Sequence, residues 1–219
     1  MVTFRSALAV SGAALGLVAL AAVPSATAAP SAPAPYASSA AADAAAALRP
    51  AFLSAGQMPP SSTPWTADPV AKGLPETGVF CAPGVLPEHG TRHRVFRTEL
   101  DTGGVQVTTV AATEAKAAAL VDALRQGFLG CGERIERENP GVEAGSLYHG
   151  KVEVEEGAYV YSLDTRHLEI GSTDIFLFSV GRDGRTVTYV QWGQLGDLED
   201  APLTDFRTTT RTAVNKLLP

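Results

Sequence analysis

Four histidines, His89, His93, His149 and His167, are the side chains best suited to acid–base or metal chemistry near neutral pH. His89 and His93 stand four apart beside Glu88. On a helix that spacing would put both imidazoles on one face, where they could hold Zn²⁺. Pro87 and Gly90 place the stretch in a loop instead, and no H-E-x-x-H pattern exists. All four histidines fall in expected loops or strand ends, where an ordinary surface histidine is the simpler reading. A serine nucleophile has no sequence support. There is no G-x-S-x-G elbow, and Ser146 follows Gly145 in an expected loop. A Ser/His/Asp site would have to be assembled from distant residues. Glu153 and Glu155 share one face of an expected strand, but that face alternates with valines and meets water, unlike a glycosidase pair. Asp197, Glu199 and Asp200 form an acidic loop without the ligand spacing or the glycine of a calcium loop. No glycine-rich phosphate loop is present. The sequence therefore calls for no metal and no cofactor, and it names no catalytic residue.

Two further sets are more informative. Cys81 and Cys131 are the two cysteines of the chain, and no C-x-x-C occurs. In an exported protein such a pair is expected to be a disulfide. The aromatic residues Tyr159, Tyr161, Tyr189 and Trp192 lie on neighbouring expected strands. If one face of the sheet is left uncovered, they can line a ligand groove. Ordinary core and cross-strand packing is the competing reading.

The compartment comes from the first residues. Arg5 supplies one positive charge, an uncharged Ala/Leu/Val/Gly run extends from Ala7 to Ala22, and Pro24 breaks it. Ala26-Thr27-Ala28 matches the small-x-small pattern of a signal peptidase site. Residues 1–28 are thus expected to be a cleaved signal peptide. The run is too short and too Ala-rich for a stable membrane anchor. The mature protein is placed in the extracellular or cell-wall space. Cleavage removes Arg5 and no acid, which takes the formal charge from −6 to −7. An acidic chain of this kind is a poor candidate for nucleic-acid binding. Residues 29–47 are Ala/Pro/Ser-rich, with Asp43 as their single charge, and cannot bury enough surface to order themselves. They read as a disordered spacer, although Asp43 to Leu53 has the composition of a short helix. One folded domain is expected over residues 48–219.

The elements that must position these residues follow from periodicity. Residues 48–80, rich in Pro and Gly, read as an irregular arm anchored by Trp65. Arg94–Leu100 and Val105–Val110 read as a hairpin around Asp101-Thr102-Gly103-Gly104. Ala117, Leu120, Val121, Leu124 and Phe128 recur at the helical period, so Thr113 to Phe128 is an expected helix, stopped at Gly130-Cys131-Gly132. Strands are expected at Lys151–Glu155, Ala158–Leu163, Ile175–Val180 and Thr186–Trp192, the last two joined by an Asp183-Gly184 turn. A final helix from Pro202 to Leu218 would carry Phe206, Thr210, Ala213 and Leu217 inward. The expected fold is α+β, a mostly antiparallel sheet of about six strands packed by two amphipathic helices on one face, with one disulfide.

The order of these elements carries a resemblance. An Ala/Leu helix closes on the second cysteine (AKAAALVDALRQGFLGC), hairpins end in GRDGRTVTYVQW, and a terminal helix follows. Over residues 48–219 this resembles the extracytoplasmic sensor domain of PknH-type serine/threonine kinases and secreted actinobacterial proteins similar to it. The resemblance implies an α+β domain with a cleft for an extracellular ligand and no catalytic residues to transfer. That family domain commonly has two disulfides, whereas this chain has cysteines for one, and no kinase is attached. The expected function is a secreted, non-enzymatic, sensor-like or ligand-binding domain at the cell envelope, whose partner is an extracellular ligand or envelope protein. A secreted hydrolase and a structural or protein-interaction module are the rivals.

Overall fold

The computed structural model describes residues 50–218. The expected signal peptide and spacer lie outside them, as does most of the helix expected over 43–53. Of that helix, residues 50–53 are described, and they are not helical.

The framework is an eight-stranded sheet in which every pairing is antiparallel. Its strands are β1 (Thr66–Ala67), β2 (Ala71–Lys72), β3 (Thr91–Arg97), β4 (Gly103–Val110), β5 (Val142–Val152), β6 (Ala158–His167), β7 (Thr173–Asp183) and β8 (Thr186–Leu195). The spatial order is β1-β3-β4-β8-β7-β6-β5, with the short β2 also on β3. Three α-helices accompany it among the described residues: α1 (Glu114–Leu129), α2 (Cys131–Glu138) and α3 (Leu203–Asn215).

The two long helices lie on opposite faces of the sheet, not on one. Alternation along the strands shows this directly. Tyr161 and Leu163 of β6, Phe178 and Val180 of β7, and Val187 and Tyr189 of β8 pack with Ala117, Val121, Leu124 and Phe128 of α1. The intervening residues Val160, Leu177, Val190 and Trp192 pack with Phe206, Ala213 and Val214 of α3 and with Leu53 and Met58 of the N-terminal arm. Double coverage explains why β7 and β8 are apolar on both faces. The arm is tied down by Leu53 N–H donating to Gln106 Oε1 (2.7 Å) and by Thr209 Oγ1 donating to Gln57 O (2.8 Å).

Other sequence expectations shift. β3 runs three residues earlier than expected, and β1 and β2 bring the strand count to eight. β5 begins at Val142, whereas Val154 to Gly157 form a turn in which Glu155 has φ 40°. Glu153 and Glu155 therefore do not share a strand face. Helix α2 occupies the Gly130-Cys131-Gly132 segment read as a stop. Its sequence, CGERIERE, offers only Cys131 and Ile135, four residues apart, as apolar side chains, too few for a recognisable stripe. Gly132 instead serves close approach to β5, because a Cβ there would sit 2.8 Å from Ala144 O. Cys81 and Cys131 form the disulfide, with an S–S distance of 2.03 Å.

Candidate functional site

A mainly apolar concavity lies where α1 leaves the sheet, with a volume of about 800 Å³. Three pieces of chain build it. The floor is Val110, Ala111 and Ala112, the exit of β4. One wall is the flank of α1, where Lys116, Ala119 and Leu120 share the i, i+3, i+4 side of the helix. The opposite wall is the loop bearing Val85, Pro87, His89 and Gly90, and Arg185 closes the rim from the β7–β8 turn.

Each piece is held locally. Thr113 caps α1 by accepting from Lys116 N–H (3.2 Å). Val110 N–H donates to Gly90 O (3.0 Å) and Ala111 N–H to Arg185 O (2.8 Å), which fixes both sides of the floor. The loop wall is fastened by the disulfide to Cys131, the first residue of α2 just past the end of α1, and is packed on the core by buried Val79, Ala82 and Leu86. Gly127 makes this packing possible, since a Cβ there would lie 2.8 Å from Cys81 O and 2.9 Å from Ala82 Cβ. The disulfide therefore positions a wall of the cleft.

A second, more polar cleft of about 540 Å³ opens on the same face of the sheet, towards the other ends of β4 and β8. Phe176, Val95 and Val105 contribute its apolar surface, and Arg97, Asp101, Asp174, Gln191 and Gln194 its polar one. The Gln191 amide is oriented from beneath, where Tyr189 O–H donates to its Oε1 (2.7 Å).

The aromatic residues singled out in the sequence line neither cleft. Tyr161, Tyr189 and Trp192 are at most 1 % exposed, and Trp192 faces α3 whereas the tyrosines face α1. Both sheet faces are covered at these residues, and their contacts are core and cross-strand packing. Phe128 sits 5.4 Å from Tyr161, 5.3 Å from Phe178 and 5.8 Å from Tyr189, centroid to centroid. Half-buried Tyr159 is covered by the Arg125 guanidinium at 3.8 Å from its ring centroid, and the same group donates to Tyr161 O–H (3.0 Å). Burial pushes the phenols of Tyr161 and Tyr189 up, so both stay neutral. The signal that sequence reading missed is the set of small residues Ala111, Ala112 and Ala119, which leaves room beside the helix.

The histidines do not converge. His89 is on the rim of the apolar cleft, whereas His93 lies within β3, not in a loop, with Nδ1 2.9 Å from Gly73 O. His167 ends β6. His149, inside β5 and half-buried, places Nε2 2.8 Å from Ser162 Oγ. Burial first, and the nearby Arg207 charge second, push this imidazole below its ordinary 6.5. Ser162 itself is only 2 % exposed. On the sheet edge, Glu136, Glu143, Asp164 and Asp197 line an acidic concavity together with Arg166. No three metal-ligating side chains come together among the described residues. No described helix is long and apolar enough to cross a membrane. No protein-family model matches the chain, and no curated protein matches it.

Proposed function

We propose that this protein is an exported, non-enzymatic ligand-binding domain, sensor-like in build, that works in the extracellular or cell-wall space. The observation that carries this reading is the apolar cleft beside α1. Its volume of about 800 Å³ falls within the roughly 300–1,000 Å³ typical of small-molecule sites. Its walls are apolar, with a few polar groups at the rim, which is the composition that such sites share. The disulfide supports function in an oxidising compartment. The order of elements and the placement of the cysteines support kinship with PknH-type extracytoplasmic sensor domains.

The test is saturable binding of N-phenyl-1-naphthylamine, a neutral dye that brightens in apolar sites. Saturation at micromolar dye is expected, weakened at least tenfold by Leu120→Asp. Leu120 is half-buried against the core, so an unchanged circular dichroism spectrum of the variant is the control for its fold. Dye binding unchanged by Leu120→Asp would sink the assignment.

The hydrolase reading has one observation in its favour, the contact between His149 and Ser162. The burial of Ser162 weighs against it, because a nucleophile must reach its substrate. Labelling by a fluorophosphonate decides the matter: the proposed reading expects none, and a Ser162 adduct would favour the hydrolase.

A further inference from the structure

We propose that the cleft beside α1 takes a single-chain amphiphile with an anionic head, of the long-chain carboxylate type. This rests on the ligand-binding reading above and names the class of ligand. The apolar walls alone would accept any oily molecule; the rim is selective. Every charged or ionisable side chain that lines the cleft, Lys116, Arg185 and His89, is a base. The chain as a whole has 23 acids against 17 Lys and Arg, so a rim without a carboxylate runs against its composition.

The acids closest in sequence are directed elsewhere. Glu88, beside His89, accepts from Leu74 N–H (3.1 Å). Asp183, two residues before Arg185, takes no part in the lining; burial first, and then the charges of Glu155 and Glu156, raise its pKa. Glu114 at the start of α1 is exposed and takes no part in the lining. Neither Lys116 nor Arg185 makes an ion pair among the described residues, whereas Arg97, Arg125, Lys151 and Arg182 each do. Two cations without a carboxylate partner, of which Arg185 donates only to Ala112 O (3.4 Å), lie beside an apolar trough and complement a head that is negative and a tail that is hydrocarbon.

The same charges argue against a bilayer as the occupant. Attraction to an anionic membrane takes a cluster of roughly four to eight Lys or Arg. Here two permanent cations sit on a protein of net charge −6, which an anionic surface would repel.

The experiment titrates the exported chain by calorimetry with decanoate and decyltrimethylammonium below their micelle concentrations and with 1-decanol below its solubility limit. Decanoate is expected to bind at least tenfold more tightly than the other two. Lys116→Gln/Arg185→Gln, both at exposed positions, should lower the ratio of decanoate to 1-decanol affinity from at least tenfold to about one. Equal affinity for decanoate and 1-decanol would overturn the anionic assignment while the apolar cleft stands. Absence of binding by all three, with the neutral dye also silent, would overturn the ligand-binding reading itself. Binding to phosphatidylglycerol vesicles without binding to free decanoate would assign the rim to a membrane and refute the proposal. Dimerisation abolished by Leu120→Asp, with no amphiphile bound, would refute it in favour of a second copy of the chain.

Discussion

Replacing Cys81 and Cys131 together with alanine removes a cross-link between residues 50 apart in sequence. The chain-entropy model gives about 4 kcal/mol for a loop of that length. For a domain of this size each kcal/mol moves the melting midpoint by roughly 2–4 °C, so a fall of about 8–16 °C is expected. The effect should not be uniform over the molecule. The disulfide fastens the loop that carries Val85, Pro87 and His89, whereas the sheet keeps its ladder without it. Hydrogen exchange should therefore accelerate most in residues 79–90 and least in β7 and β8. Dye affinity at the apolar cleft should fall with the loss of its wall. Thermal unfolding followed by circular dichroism gives the midpoint, and exchange mass spectrometry gives the location. A midpoint lowered by less than about 3 °C, with exchange in 79–90 unchanged, would refute the reasoning. The loop would then be held by Val79, Ala82 and Leu86 alone.

Gly127→Ala should destabilise by about 1–3 kcal/mol in urea unfolding, because the new methyl meets Cys81 O and Ala82 Cβ and the disulfide prevents the loop from yielding. His149 has its pKa lowered in the fold, so its contribution is present above its ordinary 6.5 and is lost as pH falls below that value. The melting midpoint should therefore drop between about pH 7 and pH 5, and His149→Gln should flatten that drop. Asp164 has the opposite sign: burial first, and the Asp197 charge in addition, raise its carboxyl, while a backbone bond from Leu198 works the other way. Its ionisation opposes folding once pH rises through the raised value, so Asp164→Asn should increase the midpoint at about pH 7 and leave it unchanged at about pH 3. Paired melts at the two pH values check this.

Legibility differed between elements for physical reasons. The stripe of Ala117, Val121, Leu124 and Phe128 has a helical period because one helix face meets one sheet, and all four are buried. β7 was legible from the apolar run Ile175–Phe178, and β8 from its β-branched and aromatic residues directly after an Asp-Gly turn. Helix α2 was not, because it is held by a close backbone approach at Gly132 and by the disulfide rather than by an apolar stripe. β5 was obscured because it is an edge strand whose residues Val142 to Gly150 are partly or fully exposed, so that no clean alternation is required of them.

The site shows the same division more sharply. Residue types and spacing alone set the α+β class, the pairing of Cys81 with Cys131 and the inner stripes of α1 and α3, since each depends on local periodicity or on having only one possible partner. The face to which each helix docks depended on the path of the connections, which no period records. That choice buried Tyr161, Tyr189 and Trp192 on two sides of the sheet. It also opened a trough beside α1 from residues far apart in the chain: Val85, Val110, Leu120 and Arg185. Local pattern determines which side chains must be covered; only the tertiary arrangement decides what covers them and where a gap is left.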